Sequence, residues 1–458
     1  MSFSYKGLNA KVKSQNIRTF VSDLDPLIEL ANLINWKKLA QLALPDLEAT
    51  TKKGFFHLGR SLFLRAHLSA MILQLLFKLT DRQIEQAINQ TPLYQVFCGI
   101  GVLDGWKCPD HTKIETFRNR LSPETHKAIG DYILTLAVGK KFANPSILDI
   151  DSTVQEANMS YPSDATLMKK LALKCQKTLG FLKEKGKKYL PQELNIDIKK
   201  IIKKSQEYFF LAKNTAIEKK RALFAEYHSL VKSELKDFIK FTENLSLQAL
   251  INLPWNHQDT INFVRENARR YLLDVAHFTR HHTIKSGKIL SLKLRDVICV
   301  KKGKVGKDKE FGRVFQLGRI QGNFLVCYTC TSLQMNDKGS LKAVLQEHQK
   351  IFGKNILESV TADKGYYSHK NIQTAKNMVG NADGLQRPAH VKDQVVGPQK
   401  EELYNRRSGV EPVIGHVKKF GLGKSKMKSD RATLASGYRS ALGFNLHQLQ
   451  RNLSGIIK

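Results

Sequence analysis

The segment NPSILDIDSTVQ, residues 144–155, decides the fold because it predicts a strand directly after a long helical region. Its Asn-Pro pair breaks the preceding helix, and residues 147–154 have the composition of a strand. In a strand, Asp149 and Asp151 lie on the same face. A strand that begins apolar and ends in polar residues is a common place for an active site to open.

The sequence on either side of this strand divides into distinct regions. Residues from about 20 to 135 read as helical, and residues from about 165 to 285 read as long, lysine-rich helix. After Gly287, short apolar runs such as VICV and NFLVCYTC predict strands, which are separated by turns such as KKGKVGKDKE (301–310). Strands that resume after about 120 helical residues indicate a helical insertion into one α/β domain.

The composition indicates a large globular protein with an anionic partner. The chain has 458 residues, enough for two or three domains, and 42% of them are hydrophobic. A net charge of +33, spread along the chain, suits nucleic acid, and an anionic membrane surface is the alternative. The longest mostly apolar run, residues 68–77, is too short to span a bilayer. Few cysteines and no visible secretory signal predict a cytoplasmic protein.

Two segments of the N-terminal region carry helix-start signals. In LTDRQIEQAINQ, Thr80 precedes a glutamine by three residues, and in CPDHTKIETFRNRL, Thr112 precedes Glu115 by three, which is the spacing of a capping box. Lys113 and Arg118 then fall on the outward face of the second helix, where they would contact DNA. Two such helices are similar to a helix-turn-helix reader, and a helical bundle with a solvated basic face is the alternative.

Three acidic residues from distant segments are candidates for metal chemistry. Asp151 and Asp363 end predicted strands, and Glu411 lies in the basic stretch LYNRRSGVEPVIGHVK, residues 403–418. Phosphoryl transfer on DNA uses a pair of hard divalent cations, and Mg²⁺ prefers a few carboxylates with water and phosphate as its other ligands. Three carboxylates in a strongly basic chain fit that requirement, although an aspartate at a strand end is also a common turn cap.

The basic stretch predicts a helix face with mixed polar groups. Tyr404, Arg407, Glu411 and Lys418 fall within an arc of about 60° if the segment is one helix. Arginine and lysine beside an acid are suited to hold phosphate oxygens next to a metal. Pro412 can start or kink a helix, and a solvated, ion-paired face is the alternative interpretation.

Three blocks of the chain resemble bacterial insertion-sequence transposases of the DDE class. LDIDSTVQEANMSYPSDATLM resembles the first-aspartate block of that family, and ADKGYYS resembles the second-aspartate block. YNRRSGVEPVIGHVK has the Tyr, Arg, Glu and Lys spacing of the family without a gap, and PDHTKIETFRNRL is similar to its helical domain. The resemblance covers most of the chain except the helical insertion.

This resemblance implies an α/β fold with a ribonuclease-H-like core, a mixed five-stranded sheet with helices. A helical insertion would interrupt that core, and an all-α N-terminal domain would precede it. The implied boundaries are residues 1–138 for the helical DNA-binding domain, 139–165 and 286–458 for the catalytic domain, and 166–285 for the insertion.

The same resemblance implies roles for individual residues. Asp151, Asp363 and Glu411 would be catalytic and would hold two Mg²⁺ ions, for which Mn²⁺ can substitute. Asp149 is the alternative first ligand, because it shares a strand face with Asp151. The residues implied to contact phosphates at the transposon end are Tyr404, Arg407 and Lys418.

The expected reaction is hydrolysis of a phosphodiester at the ends of the element, followed by attack of the freed 3′-hydroxyl on target DNA. The expected partners are double-stranded DNA, as terminal inverted repeats and target, and a second copy of the chain in a homodimer. The expected location is the bacterial cytoplasm, in association with the nucleoid. A DNA nuclease without strand transfer and a non-catalytic DNA-binding protein are the alternatives.

Overall fold

The computed structural model describes Ser22 and residues 24–49, 60–99, 108–185, 194–304, 307–329, 336–379, 381–388 and 398–455. The chain divides into two compact units. One unit is Met1–Asn158 together with Cys299–Lys458, and the other is Met159–Ile298. The helical N-terminal region and the sheet therefore belong to the same unit, and the second unit contains the whole predicted insertion and extends beyond it at both ends.

Seven α-helices precede the sheet in the described residues. They are α1 (Pro26–Leu33), α2 (Trp36–Ala49), α3 (Arg60–Phe77), α4 (Asp81–Gln90), α5 (Pro92–Phe97), α6 (His111–Arg120) and α7 (Pro123–Gly139). These helices confirm the prediction of an all-α region before the first strand.

The starts of α4 and α6 differ in how well the sequence predicts them. At α4, Thr80 and Gln83 form the predicted capping box, in which each side chain bonds the backbone N–H of the other residue. At α6, the carboxylate of Asp110 accepts from the backbone N–H of Thr112 and of Lys113. The predicted cap at Thr112 is therefore wrong, because a carboxylate two residues earlier already satisfies the free N–H groups of the first turn.

The second unit contains six α-helices among the described residues. They are α8 (Asp164–Lys185), α9 (Ile198–Phe209), α10 (Ile217–Asn244), α11 (Leu247–Ile251), α12 (Trp255–Phe263) and α13 (Arg269–His281). A π-helical segment, Val264–Ala268, separates α12 from α13. Buried side chains from α8, α10 and α13, such as Met168, Tyr227 and Tyr271, form a core within this unit.

The sheet of the first unit has six strands among the described residues. They are β1 (Asn144–Glu156), β2 (Ile298–Lys304), β3 (Lys307–Gln321), β4 (Phe324–Thr329), β5 (Ser359–Ala362) and β6 (Asn381–Leu385). The strand order is β2-β3-β1-β5-β6, and β4 also pairs with β3. Since β3 is antiparallel to β1 and β4, whereas β5 is parallel to β1 and β6, the sheet is mixed as predicted.

The sheet has one strand more than the five expected, and the segment predicted to form a turn between β2 and β3 belongs largely to those two strands. The lysine-rich segment KKGKVGKDKE continues β2 to Lys304 and begins β3 at Lys307. β2 lies at the edge of the sheet. Lysines are common on edge strands, where their charge discourages pairing with other chains. A lysine-rich composition therefore does not distinguish an edge strand from a turn.

Five α-helices complete the first unit in the described residues. They are α14 (Asp337–Phe352), α15 (His369–Met378), α16 (Pro398–Ser408), α17 (Val410–Val417) and α18 (Asp430–Leu453). α18 packs against α3, α7 and β4. Its Leu442 and Leu446 are buried in the same hydrophobic cluster as Leu27 of α1 and Ile150 of β1. The N-terminal helices and the sheet therefore share one core.

Candidate active site

The pairing of β1 with β5 brings two of the predicted metal ligands to one edge of the sheet. The two strands are parallel neighbours, with Ile150 opposite Ala362. The next residues are Asp151 and Asp363, so the two aspartates lie side by side just beyond the last β1–β5 pair, while Asp151 remains paired with Leu317 of β3. Asp363 also caps a short 3-10 turn, accepting from the backbone N–H of Gly365 at 2.8 Å.

Asp151 is the more buried of these two aspartates, with 17% of its side chain exposed against 34% for Asp363. Burial is the main cause that raises the pKa of Asp151, to about 6. The negative charges of Asp363 and Asp337 raise the pKa further, whereas the N–H of Ser152 and the guanidinium of Arg407 lower it. An acid whose pKa is raised beside other carboxylates is a frequent mark of a functional site.

Asp337, in the first turn of α14, is a further carboxylate at this edge that sequence analysis did not single out. A Cβ atom added to Gly365 would lie 2.9 Å from Oδ2 of Asp337 and 3.0 Å from Oδ1 of Asp363. The two carboxylates therefore flank the α-carbon of Gly365. In the sequence, Asn336 and Asp337 have only the pattern of an ordinary helix start, which carries no signal for a site.

Arg407, on α16, contacts all three predicted ligands. Its Nη2 lies 3.4 Å from Oδ2 of Asp151 and 4.0 Å from Oδ2 of Asp363. Its Nη1 lies 3.1 Å from Oε1 of Glu411, which is 63% exposed at the start of α17. Three acids from three distant segments thus converge on one guanidinium group.

The segment that carries Arg407 and Glu411 is two helices and not one. α16 ends at Ser408 and α17 begins at Val410, with Gly409 between them. Because Gly409 keeps a nearly helical backbone conformation, φ −62° and ψ −11°, Arg407 and Glu411 still meet as an i,i+4 pair. The other two members of the predicted face, Tyr404 and Lys418, are both half-buried.

Asp149, the alternative first ligand, lies in a buried ion network. Its Oδ1 accepts from Oγ1 of Thr361 at 2.7 Å and from Nε of Arg406 at 2.7 Å, and its Oδ2 accepts from Nη2 of Arg319 at 2.8 Å. The side chain is 1% exposed. Asp149 therefore ties α16 to the sheet, and the geometry favours Asp151 over Asp149 as a ligand.

The two basic residues predicted to face outward from α6 have different environments. Lys113 is 70% exposed and pairs with Asp110 at 3.2 Å. Arg118 is only 14% exposed, and it donates to Oδ2 of Asp81 at 3.0 Å and to Oε1 of Gln74 at 3.1 Å. The predicted outward position is thus wrong for Arg118, because the acid at the start of α4 draws the guanidinium against that helix.

The carboxylates at this edge suit a divalent cation in their chemistry. In the present arrangement, no three acidic, histidine or cysteine side chains of the described residues are close enough together to hold a metal ion. Carboxylate oxygens are nevertheless the ligands that Mg²⁺ prefers, and three of these groups already surround one positive charge. The donor set therefore fits a cation that takes the place of the guanidinium of Arg407.

Comparison with known families assigns this chain to a class. Residues 301–445 match the family described as a transposase DDE domain, and residues 15–120 match the family described as a transposase domain (DUF772). The two matches together support an insertion-sequence transposase. The DDE domain indicates that the enzyme is a transposase, of the polynucleotidyl transferase type, and DDE transposases generally use divalent metal ions. Searches of curated proteins and of solved structures gave no match.

The family assignment also bears on the fold and on the partner. A DDE domain implies a ribonuclease-H-like fold, with which the mixed sheet and its helices agree. Transposases act on DNA, which accords with the net charge of +33. Within the described ranges, none of the helices has the length and apolar character needed to cross a bilayer.

Proposed function

We propose that this transposase cleaves DNA at the ends of its element and joins the freed ends to target DNA. In this proposal Asp151, Asp363 and Glu411 hold two Mg²⁺ ions, and Mn²⁺ can substitute for them. The observation that supports the proposal most directly is the convergence of the three carboxylates on Arg407. Bound Mg²⁺ would activate water for attack on phosphorus and would stabilise the charge on the leaving oxygen.

Of the three proposed metal ligands, two would be held rigidly and one could move. Asp151 lies within β1, where it pairs with Leu317 of β3, and Asp363 directly follows β5, so the sheet fixes the positions of both. Glu411 lies beyond the break at Gly409 and is largely exposed, so it can adjust its position when a cation binds. The contact of Arg406 with the buried Asp149 holds α16 in place beside them.

DNA would bind through the basic residues around these acids. Once cations occupy the carboxylates, the guanidinium of Arg407 is free to bind phosphate oxygens, and Tyr404 and Lys418 would contact the same backbone. Lys113 of the N-terminal region would add a further phosphate contact, because its ammonium group is exposed. Arg118 would support that surface from within through its pair with Asp81. A homodimer in the cytoplasm, associated with the nucleoid, would bring two transposon ends together.

The experiment that tests this proposal compares Asp151→Asn and Glu411→Gln with Glu402→Gln. Glu402 is an exposed acid on α16, so its variant is a matched control for loss of one carboxylate. The substrate is the DNA that flanks the reading frame, and the readouts are Mg²⁺-dependent nicking, joining to a second duplex, and DNA affinity without metal.

We expect the two site variants to lose nicking by at least a hundredfold and to retain DNA affinity, while the control cleaves like the wild type. Full cleavage by Glu411→Gln would refute the assigned ligand set. Cleavage by the wild type without any joined product would identify a nuclease instead of a strand-transfer enzyme.

A further inference from the structure

A groove with a volume of about 310 Å³ lies between α10 and α13 in the second unit. We call it the insertion groove, and its lining residues are Lys232, Lys236, Ile239, Arg269, Leu272 and Leu273. Ile239 and Leu272 are 5% and 3% exposed and form the floor, whereas Leu273 is 58% exposed at the rim. The groove thus combines an apolar floor with cationic side chains.

The lysines of the groove belong to a row of basic residues on α10. Lys232, Lys236 and Lys240 are all exposed and follow each other at intervals of four residues on α10, so they share one helix face. Within the described part of the chain, none of the three makes an ion pair or a hydrogen bond. Like charges at i,i+4 destabilise a helix. An anionic ligand would remove that repulsion.

The opposite wall of the groove has an irregular helix. The π-helical segment Val264–Ala268 immediately precedes Arg269, and π-helical turns are frequent at functional sites. Arg269 pairs with Glu243 at 2.6 Å, so this cation is partly neutralised. Among the described residues, Lys232 and Lys236 are therefore the lining cations of the groove that have no ion-pair partner.

The composition of the second unit points to the class of ligand. Residues 159–298 contain 27 lysines and arginines against 14 aspartates and glutamates, a net charge of +13 in 140 residues. Such a density of positive charge suits a polyanion, since neutralised phosphates release counterions from nucleic acid. The apolar floor suits the sugar face of a DNA backbone, which alternates with its phosphates.

We propose that the insertion groove is a second binding site for a DNA backbone, separate from the carboxylate site. Lys232 and Lys236 bind phosphate oxygens, and Leu273 contacts a deoxyribose. This assignment rests on the proposed action of the enzyme on DNA. An acidic protein segment could satisfy the same lysines, and the experiment below separates the two ligands.

The test uses the full chain without added metal, together with a DNA duplex of arbitrary sequence. The affinity of Lys232→Gln/Lys236→Gln is measured over a range of salt concentrations and compared with that of Lys199→Gln/Lys203→Gln. Lys199 and Lys203 are also exposed, four residues apart on α9 and outside the groove, so the control removes equal charge with equal spacing.

We expect the groove variant to bind DNA roughly tenfold more weakly at 0.1 M salt, and its salt slope to fall by about 1.8, which corresponds to two lost phosphate contacts. The control should keep the wild-type slope. Leu273→Ala should weaken binding without a change of slope, because its contact with the sugar carries no charge.

Equal losses in the two double variants, or no loss in either, would overturn the proposal. Binding of polyglutamate that requires Lys232 and Lys236, with unchanged DNA binding, would assign the groove to an acidic protein and would also overturn it. These measurements need no cleavage, so a chain that fails to nick DNA contradicts the proposed reaction and leaves the groove result intact.

Discussion

Nη2 of Arg407 lies 3.4 Å from Oδ2 of Asp151, and the same guanidinium reaches Asp363 and Glu411. A positive side chain therefore stands among the acids that are proposed to hold Mg²⁺. A guanidinium and a divalent cation cannot both bind these oxygens at full strength, because both need the same lone pairs and the same space. Arg407 must then compete with the metal, even though the proposed reaction uses both.

The first prediction concerns Arg407→Gln. Removing the guanidinium should tighten the binding of Mn²⁺ to the DNA-free protein by about tenfold, since the carboxylates lose a competing cation. Calorimetric titration with Mn²⁺ measures this affinity, and Lys419→Gln, which removes an exposed charge twelve residues further along the chain, is the control. DNA cleavage by Arg407→Gln should fall. Unchanged or weaker Mn²⁺ binding would mean that Arg407 does not occupy the cation position.

The second prediction concerns Asp149, which binds Arg319 and Arg406 inside the protein. Asp149→Asn leaves two arginines without their buried counter-charge, and the expected cost is about 3 kcal/mol in the free energy of unfolding. Urea unfolding followed by tryptophan fluorescence measures it, because Trp36 lies in the shared core. Glu115→Gln, at an exposed position, should cost less than about 0.5 kcal/mol. A cost below about 1 kcal/mol for Asp149→Asn would contradict the role given to this network.

The third prediction separates the two basic residues of α6. Lys113→Gln should lower the salt slope of DNA binding by about 0.9 and leave stability unchanged, since its side chain is exposed. Arg118→Gln should instead cost about 2 kcal/mol of stability, because it breaks a largely buried pair with Asp81. Urea unfolding and salt-dependent binding on both variants give the comparison. A stable Arg118→Gln protein with a reduced salt slope would reverse these roles.

The fourth prediction is a loss of stability in acid that depends on His348. Burial lowers the pKa of His348 to about 4, although its ring NH donates to the carbonyl of Pro145 at 2.8 Å, which opposes the change. The unfolded chain has a histidine pKa near 6.5, so the folded state favours neutral histidine. This contribution to stability is fully present above about pH 6.5 and is lost as the pH falls toward 4.

Between pH 7.5 and pH 5, His348 should account for about 2 kcal/mol of destabilisation. The free energy of unfolding is measured at both pH values, and it should change less between them in His348→Gln than in the wild type. His369→Gln, at an exposed position, should keep the wild-type difference. If all three proteins lose the same free energy between the two pH values, other groups control the acid response.

The positions of the acids along the strands could be predicted in part from the sequence, whereas their meeting could not. The end of β5 just before Asp363 was predicted correctly, whereas the prediction that a strand ends at Asp151 is wrong, because β1 stays paired with β3 as far as Glu156. That the two strands are parallel neighbours depends on pairing between distant segments, which no local pattern encodes. Asp337 joins them through the packing of α14, and in the sequence it has only the appearance of a helix start.

The different roles of Arg406 and Arg407 could not be predicted from the sequence either. As neighbours in the sequence they look equivalent. On a helix their side chains point about 100° apart, so one reaches the buried Asp149 and the other reaches Asp151. The way α16 docks on the sheet decides which arginine stabilises the fold and which faces the site, and that docking is set by long-range contacts.

The placement of α18 has a consequence for how this protein is made in the cell. Its leucines fill a core that is lined by helices synthesised hundreds of residues earlier, including α1 and α3. While the ribosome is still producing the middle of the chain, those apolar faces have no cover and are open to aggregation. The nascent polypeptide should therefore depend on chaperones until α18 emerges, and premature stop codons before it should yield insoluble fragments.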